Sequence, residues 1–178
     1  MKTFFNTKRL CRAAVIAALY TALTYAFMPF AFGSFQIRPA EALCILPLFY
    51  AEAIPALAIG CALSNLASPY LLYDVCFGSL ITLSAAFGTY MVGVFVKNSN
   101  WKFILGGLFP VLLNALFLPL YILFLCGGLE GQDSVWAAYS SFALSLLFTQ
   151  AVWVYLLGSP VNYTIERLQN RKIAAFMK

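Results

Sequence analysis

Five long stretches of this chain contain no charged residue. They are 21 to 32 residues long, and a helix that crosses a lipid bilayer needs about 20 apolar residues. Charged residues make up only 10% of the chain, whereas a soluble domain carries about a quarter. Lipid must therefore cover most of the surface, and the sequence predicts an all-α polytopic membrane protein. The five stretches are Ala13–Ile37, Ala53–Tyr73, Val75–Val96, Phe103–Leu129 and Ser134–Ile165.

A sixth apolar stretch, Pro39–Ala51, is too short to be assigned as a span by length, and Glu41 is its one charge. The distribution of Lys and Arg along the chain favours treating this stretch as a sixth membrane span. Basic residues cluster before the first stretch, after the last, and between Lys97 and Lys102. Since cytoplasmic loops carry the excess of Lys and Arg, an even number of crossings should separate the first cluster from Lys97. This parity predicts six spans, with both termini in the cytoplasm.

The chain is thus predicted to form one domain, residues 1–178, consisting of a compact six-helix transmembrane bundle with a basic cytoplasmic C-terminal tail. The N-terminal apolar run exceeds the roughly 7–15 residues of a signal peptide, so we expect it to remain as the first helix. The predicted helices are 8–28, 39–51, 53–67, 74–96, 101–126 and 135–158.

Several kinds of chemistry lack the residues that they need. The chain has no histidine and its five cysteines form no C-x-x-C pair, so we expect no metal site, no cofactor, and cysteines that serve as small apolar packing residues. It has no phosphate-binding loop and no nucleophile beside a base. We therefore expect a protein that is not an enzyme, does not hydrolyse ATP itself and binds no nucleic acid.

Three charged residues lie at the edges of the apolar stretches. Arg38 and Glu41 are three residues apart, a spacing that allows a local salt bridge and equally allows a polar site at the outer mouth of the bundle. Asp74 stands immediately before the fourth helix, where Asp is a preferred N-cap. Ionisable groups at a membrane edge are also candidates for function, and a cap can still face a ligand.

Polar side chains inside the helices extend this candidate site. The amides Asn65, Asn114 and Gln150 should face inward, because an unpaired amide in lipid is costly. They would serve either as hydrogen bonds between helices or as ligand contacts. Ser79 belongs to a run of small polar residues after Asp74, and Trp136 is either a ring of the membrane-interface belt or part of the site. Amides and carboxylates backed by aromatic rings would suit a flat heterocycle.

Small residues recur every four positions along the first helix, at Ala14, Ala18 and Ala22. Such a row lets another helix backbone approach closely in lipid. The partner is either a helix of the same bundle or a separate membrane protein.

These residues, taken in order, resemble the QueT family, the queuosine-precursor substrate-binding (S) components of energy-coupling factor (ECF) transporters. The resemblance covers the chain from the first helix to the region of Tyr163. It is most specific in three stretches, which are Phe35–Leu43, Ala53–Asn65 and Asp74–Thr82, and the alanine row Ala14–Ala18 accompanies them.

The resemblance implies a six-helix S component in the plasma membrane of a prokaryote. Such a protein would capture a 7-deazaguanine base or queuine from outside. Its alanine row would dock on a transmembrane T component, and two cytoplasmic ATPases would drive transport. Three alternatives remain open, namely an S component for another vitamin or heterocycle, a ligand-free membrane scaffold, and a solitary ion-coupled carrier.

Overall fold

A computed structural model describes residues 6–32, 36–126 and 134–171, and every regular element within these ranges is a helix. The α-helices, in chain order, are α1 (Thr7–Ala26), α2 (Met28–Ala31), α3 (Ala53–Asn65), α4 (Leu71–Tyr73), α5 (Ser79–Phe95), α6 (Ser99–Leu125), α7 (Val135–Ala151) and α8 (Gly158–Asn170). A 3₁₀ helix spans Pro39–Leu48, a first π turn joins α4 to α5 at Asp74–Gly78, and a second π turn joins α7 to α8 at Val152–Leu157.

The second predicted helix is a 3₁₀ helix rather than an α-helix, and it ends at Leu48 instead of Ala51. Pro39 occupies its first turn and Pro47 lies inside it, where proline cannot donate a backbone hydrogen bond. A 3₁₀ helix rises about 2.0 Å per residue against about 1.5 Å in an α-helix. Ten residues therefore reach about 20 Å instead of about 15 Å, so this short segment extends unusually far for its length.

The 3₁₀ helix lies at the centre of the bundle. It contacts α1, α3, α5, α6, α8 and the second π turn, and nine of its ten residues are buried. The main hydrophobic core forms around Ile45 and Leu48, with Tyr20, Leu57 and Val154 packed in the same cluster. The segment that carries Glu41 is thus held by nearly every long helix.

Close backbone packing joins α1 to α3. A Cβ added to Gly60 would lie 2.9 Å from the Cβ of Tyr20 and 3.0 Å from the carbonyl oxygen of Ala17. Only glycine allows the two helices to come this close, because any larger residue would push the backbone of α1 away.

One end of the bundle, which we call the basic end, is held together by charged and polar contacts. Arg12 forms a 3.2 Å salt bridge with Glu52 and stacks over the ring of Tyr50. Nearby, Lys102 lies over the ring of Phe49. A further link joins the last two long helices, where the Ser99 hydroxyl donates to Glu166 at 2.5 Å. Arg12 of α1 therefore holds the turn between the 3₁₀ helix and α3 in place at this end.

Three helices in the described ranges are long and apolar enough to cross a membrane, namely Leu71–Phe95, Ser99–Leu125 and Val135–Gln169. The apolar helices Pro39–Leu48 and Ala53–Asn65 are shorter. The chain is accordingly an all-helical membrane protein, whereas six crossings and cytoplasmic termini stay a prediction. The last helix continues well beyond the predicted end at Gly158, because the second π turn leads directly into α8. Residues 172–178 of the predicted tail lie outside the described residues.

Candidate functional site

Glu41 is the focus of a buried polar cluster at the centre of the bundle. Its side chain is 2% exposed. The Tyr20 hydroxyl of α1 donates to its Oε1 at 2.8 Å. Its Oε2 accepts hydrogen bonds from the Cys44 thiol at 3.2 Å and from the Asn114 amide of α6 at 3.4 Å. A thiol is a weak donor and 3.4 Å is a long hydrogen bond, so Oε2 is less well satisfied than Oε1.

Arg38 lies beside Glu41 but is engaged elsewhere. Its Nε donates to the Ala31 carbonyl at 2.9 Å, and its guanidinium lies 4.8 Å from the centroid of the Phe32 ring. Although both residues belong to the described part of the chain, Arg38 and Glu41 do not form the salt bridge that their spacing allowed. The Arg38 side chain is buried, and its positive charge interacts electrostatically with both Glu41 and Asp74.

Asp74 forms a second polar cluster within the first π turn. Its Oδ1 accepts from the Tyr121 hydroxyl of α6 at 2.5 Å, and its Oδ2 accepts from the Ser68 hydroxyl. Its backbone carbonyl accepts from the Asn65 amide at 2.8 Å. The expected N-cap role is wrong, because the helix already begins at Leu71. Its Oδ1 instead joins the first π turn to α6, and its Oδ2 joins that turn to the loop that follows α3.

Close packing at Gly78 brings Asn65 up to the first π turn. A Cβ added to this glycine would lie 2.9 Å from the Asn65 Nδ2. Substitution would therefore push away the amide that binds the Asp74 carbonyl. The glycine is needed here for the close approach of a polar side chain.

Two cysteines belong to the polar interior, so the expectation that the cysteines only fill apolar space is wrong for them. Cys44 donates to Glu41, as described above. The Cys61 sulfur accepts from the Asn65 amide at 3.4 Å and from the Thr82 hydroxyl at 3.3 Å. No group of three metal-ligating side chains comes together among the residues that the structure describes.

Three buried oxygen atoms in the described part of the chain have no hydrogen-bond partner, namely Asn65 Oδ1, Gln150 Oε1 and Ser79 Oγ. The first two belong to side chains that are only 1% and 2% exposed. A buried acceptor without a donor costs about 1–3 kcal/mol. A ligand that donates hydrogen bonds would recover that free energy.

Gln150 of α7 lies at about the same level along the bundle as Asn114 of α6. It forms a buried row with Leu146 and Val154 at helical spacing. Leu146 belongs to the same hydrophobic cluster as Ala115, and Val154 to the same cluster as Val111. The row therefore faces the part of α6 that carries Asn114, and the second π turn begins two residues after Gln150.

The structure does not bring every predicted residue together. Arg38, Glu41, Asn65, Asp74, Asn114 and Gln150 are buried. Ser79 is half-buried next to the first π turn. Trp136 is 78% exposed on α7, as a ring of the interface belt would be, and it does not join the buried cluster.

The alanine row of α1 lies on the outer surface. Ala14, Ala18 and Ala22 are all exposed. The opposite face of the same helix, which carries Ala17 and Tyr20, is buried. The row is therefore not used for packing within this bundle.

Four residues of the two clusters were missed by the sequence analysis, and they are Tyr20, Cys44, Ser68 and Tyr121. Each is common in apolar sequence, so residue type alone gives no signal. Helical spacing gives a partial signal for two of the four residues. Tyr121 is seven residues after Asn114, and Tyr20 lies opposite the alanine row, so both should face inward.

An apolar groove of about 720 Å³ runs along the surface between α5 and α6. Its walls are the aliphatic and aromatic side chains of these helices, with Tyr121 and Ser84 as the polar exceptions. With so few polar groups, it does not suit a heterocycle that needs several hydrogen bonds. The buried clusters around Glu41 and Asp74 remain the better candidate site.

Comparison with known proteins gives one family. The family model described as QueT transporter matches residues 10–167. No curated protein matches the chain, and no solved structure matches it. The matched range includes every residue of both polar clusters and the exposed alanine row.

Proposed function

This chain belongs to the QueT transporter family, and from that premise we propose that it is the substrate-binding S component of an ECF importer that captures a queuosine precursor. Family membership supports a role as a membrane transporter. The ligand, a 7-deazaguanine base or queuine, would be taken from outside the cell and released inward through a shared T component. Two ATPases would supply the energy.

The observation that carries the proposal is the buried carboxylate of Glu41 in the centre of the bundle, whose Oε2 has weaker donors than its Oε1. Among the residues that the structure describes, the donors to its Oε2 are a thiol and an amide at 3.4 Å. A buried carboxylate is strongly stabilised by charged or well-aligned donors. The amino and ring N–H groups of a 7-deazaguanine are such donors, and they could replace the weaker contacts.

Formal charge favours a ligand that carries an amine. Glu41 and Asp74 supply two negative charges, and Arg38, which interacts with both, supplies one positive charge. One negative charge is left over in a buried site, and an uncompensated buried charge is costly. A 7-aminomethyl group, protonated at neutral pH, would balance it. The proposal therefore predicts preference for cationic over neutral 7-deazaguanines.

The unpartnered acceptors support the same class of ligand. Asn65 Oδ1, Gln150 Oε1 and Ser79 Oγ are buried without a donor. A guanine-like ring offers its 2-amino group and two ring N–H groups as donors. We propose that these acceptors, together with Arg38, Glu41 and Asn114, read the edges of the base. Asp74 contributes its charge to the site rather than a direct contact, and Trp136 is not in contact with the base.

Ligand binding can be tested directly on the purified full-length chain in detergent. Isothermal titration with 7-aminomethyl-7-deazaguanine should give saturable binding, at least tenfold tighter than with neutral 7-cyano-7-deazaguanine. Guanine, thiamine and riboflavin serve as comparison ligands. If a folded sample binds none of the 7-deazaguanines, the proposed specificity is wrong. Tight binding of thiamine or riboflavin instead would favour an S component for another vitamin.

Docking on a T component is tested at the alanine row. Ala18→Phe should prevent co-purification of co-expressed T component and ATPases, because the ring fills the space that a partner helix needs, while ligand affinity stays unchanged. Ala137→Phe is the matched control, since Ala137 is exposed on α7. Equal co-purification of both variants would contradict docking at this row. Uptake into liposomes that contain this chain alone would favour the solitary carrier.

A further inference from the structure

Helix α1 has two faces with different surroundings at the same level. Ala18 and Ala22 are exposed on one side. On the other side Tyr20 is fully buried and its hydroxyl donates to Glu41 at 2.8 Å. The helix that carries the alanine row thus also contacts the carboxylate at the centre of the candidate site.

Tyr20 has little freedom to move. Its Cβ is packed against Gly60 so closely that no Cβ would fit there. The ring is enclosed in the main hydrophobic core. The position of its hydroxyl is therefore determined by the packing of α1 against α3, not by the flexibility of its own side chain.

Helix α1 holds the segment that carries Glu41 at a second point. At the basic end, Arg12 pairs with Glu52 and stacks on Tyr50, which directly follow the 3₁₀ helix. Arg12 and Tyr20 are eight residues apart, which is about 12 Å along a helix. Contacts at both points set the position of the 3₁₀ helix relative to α1.

From these contacts we propose that Tyr20 is a positioning residue that orients the Glu41 carboxylate for ligand recognition. The inference rests on the proposed function. Within the described ranges Tyr20 supplies the strongest donor to Glu41, because the other contacts are a thiol and an amide at 3.4 Å. With Oε1 fixed by Tyr20, Oε2 is the oxygen that is presented to a ligand. Without the hydroxyl, the carboxylate can rotate toward Cys44 and Asn114.

The test compares two tyrosines of α1. Tyr20→Phe removes the hydroxyl that reaches Glu41. Tyr25→Phe removes a hydroxyl that donates to the Leu63 carbonyl at 3.3 Å and does not reach Glu41. Titration of the full-length protein with 7-aminomethyl-7-deazaguanine should show about tenfold weaker binding for Tyr20→Phe and less than a twofold change for Tyr25→Phe. The loss should be smaller with neutral 7-cyano-7-deazaguanine.

A double-mutant cycle identifies Glu41 as the residue through which Tyr20 acts. In a Glu41→Gln background, Tyr20→Phe should change affinity less than twofold. An equal loss in both backgrounds, or equal behaviour of Tyr20→Phe and Tyr25→Phe, would overturn the positioning role. Failure of the wild-type protein to bind any 7-deazaguanine would instead refute the proposed function.

A measurement on unaltered Tyr20 covers the case in which Tyr20→Phe does not fold. Infrared difference spectra with tyrosine ring-deuterated protein should show a ligand-induced shift of a tyrosine C–O band in the wild type and no such shift in Glu41→Gln. An unshifted band in ligand-saturated wild type would contradict the inference.

Discussion

Two buried carboxylates, Glu41 and Asp74, are satisfied in different ways. Asp74 accepts one hydroxyl hydrogen bond on each oxygen, from Tyr121 and from Ser68. Glu41 receives one hydroxyl on Oε1, while its Oε2 has only weak or long contacts. Asp74 lies where α4 continues into α5, whereas Glu41 lies inside the central 3₁₀ helix.

The difference separates a stabilising carboxylate from a recognising one. A buried charge with good donors on both oxygens gains nothing from exchanging them for a ligand. A carboxylate with weak donors on one oxygen gains free energy when a ligand supplies a better donor. We therefore infer that Asp74 mainly holds the segment between α3 and α5 to α6, and that Glu41 mainly binds the ligand. Four sets of substitutions test this division of roles.

The largest effect is expected from Asp74→Ala, which leaves the hydroxyls of Tyr121 and Ser68 without an acceptor. Removing one partner of a buried charged network costs about 3–5 kcal/mol, so the thermal midpoint in detergent should fall strongly. Asp74→Asn, which keeps one acceptor oxygen, should lose less. An unchanged midpoint with abolished ligand binding would reverse the assignment of the two carboxylates.

Glu41→Gln should act on the ligand instead. Loss of the charge should weaken binding of 7-aminomethyl-7-deazaguanine by about 100-fold, or about 2.7 kcal/mol. Stability should stay within about 1 kcal/mol, because the Gln carbonyl still accepts from Tyr20. Titration and thermal unfolding of one preparation measure both quantities. A large loss of stability with unchanged affinity would show that Glu41, too, is structural.

Gly78→Ala should destabilise the Asp74 cluster without touching Glu41. The new Cβ would lie 2.9 Å from the Asn65 Nδ2, and overpacking of this kind costs about 1–3 kcal/mol. Gly158→Ala is the matched control, since its Cβ would meet its nearest neighbour, Ile45, at 3.3 Å. A midpoint for Gly78→Ala no lower than that of Gly158→Ala would show that Asn65 can move aside.

The smallest effects come from exchanging the donors between the clusters. Cys44→Ser gives Glu41 Oε2 a hydroxyl and should weaken ligand binding about threefold, or about 0.7 kcal/mol, because the ligand now competes with a better donor. The reverse change, Ser68→Cys, should cost about 1 kcal/mol of stability at Asp74. Tighter ligand binding by Cys44→Ser would contradict competition at Oε2.

Several features of the site were predictable from the sequence, and others were not. Burial of Asn65, Asn114 and Gln150 follows from the cost of an amide in lipid, and the structure confirms it. The N-cap role of Asp74 was wrong, because α4 extends the helix by one turn before it. The partners of Glu41 were also not predictable. Tyr20 and Asn114 are 21 and 73 residues away in the chain.

The sequence by itself determined that this chain lies in a membrane and which stretches are helical. Length, apolarity and charge are local properties, and lipid requires that backbone groups pair within a helix. Family membership also followed from the ordered residues between Phe35 and Thr82. Phe35 itself lies outside the described residues.

Only the tertiary structure decided how the polar residues are paired. Whether Glu41 meets Arg38 or Tyr20 depends on the rotation and depth of separate helices, which a single sequence does not encode in any local pattern. The 3₁₀ geometry of Pro39–Leu48 adds to this, because it changes both the reach of the segment and the direction of each side chain. The same packing turned the alanine row of α1 outward and Tyr20 inward.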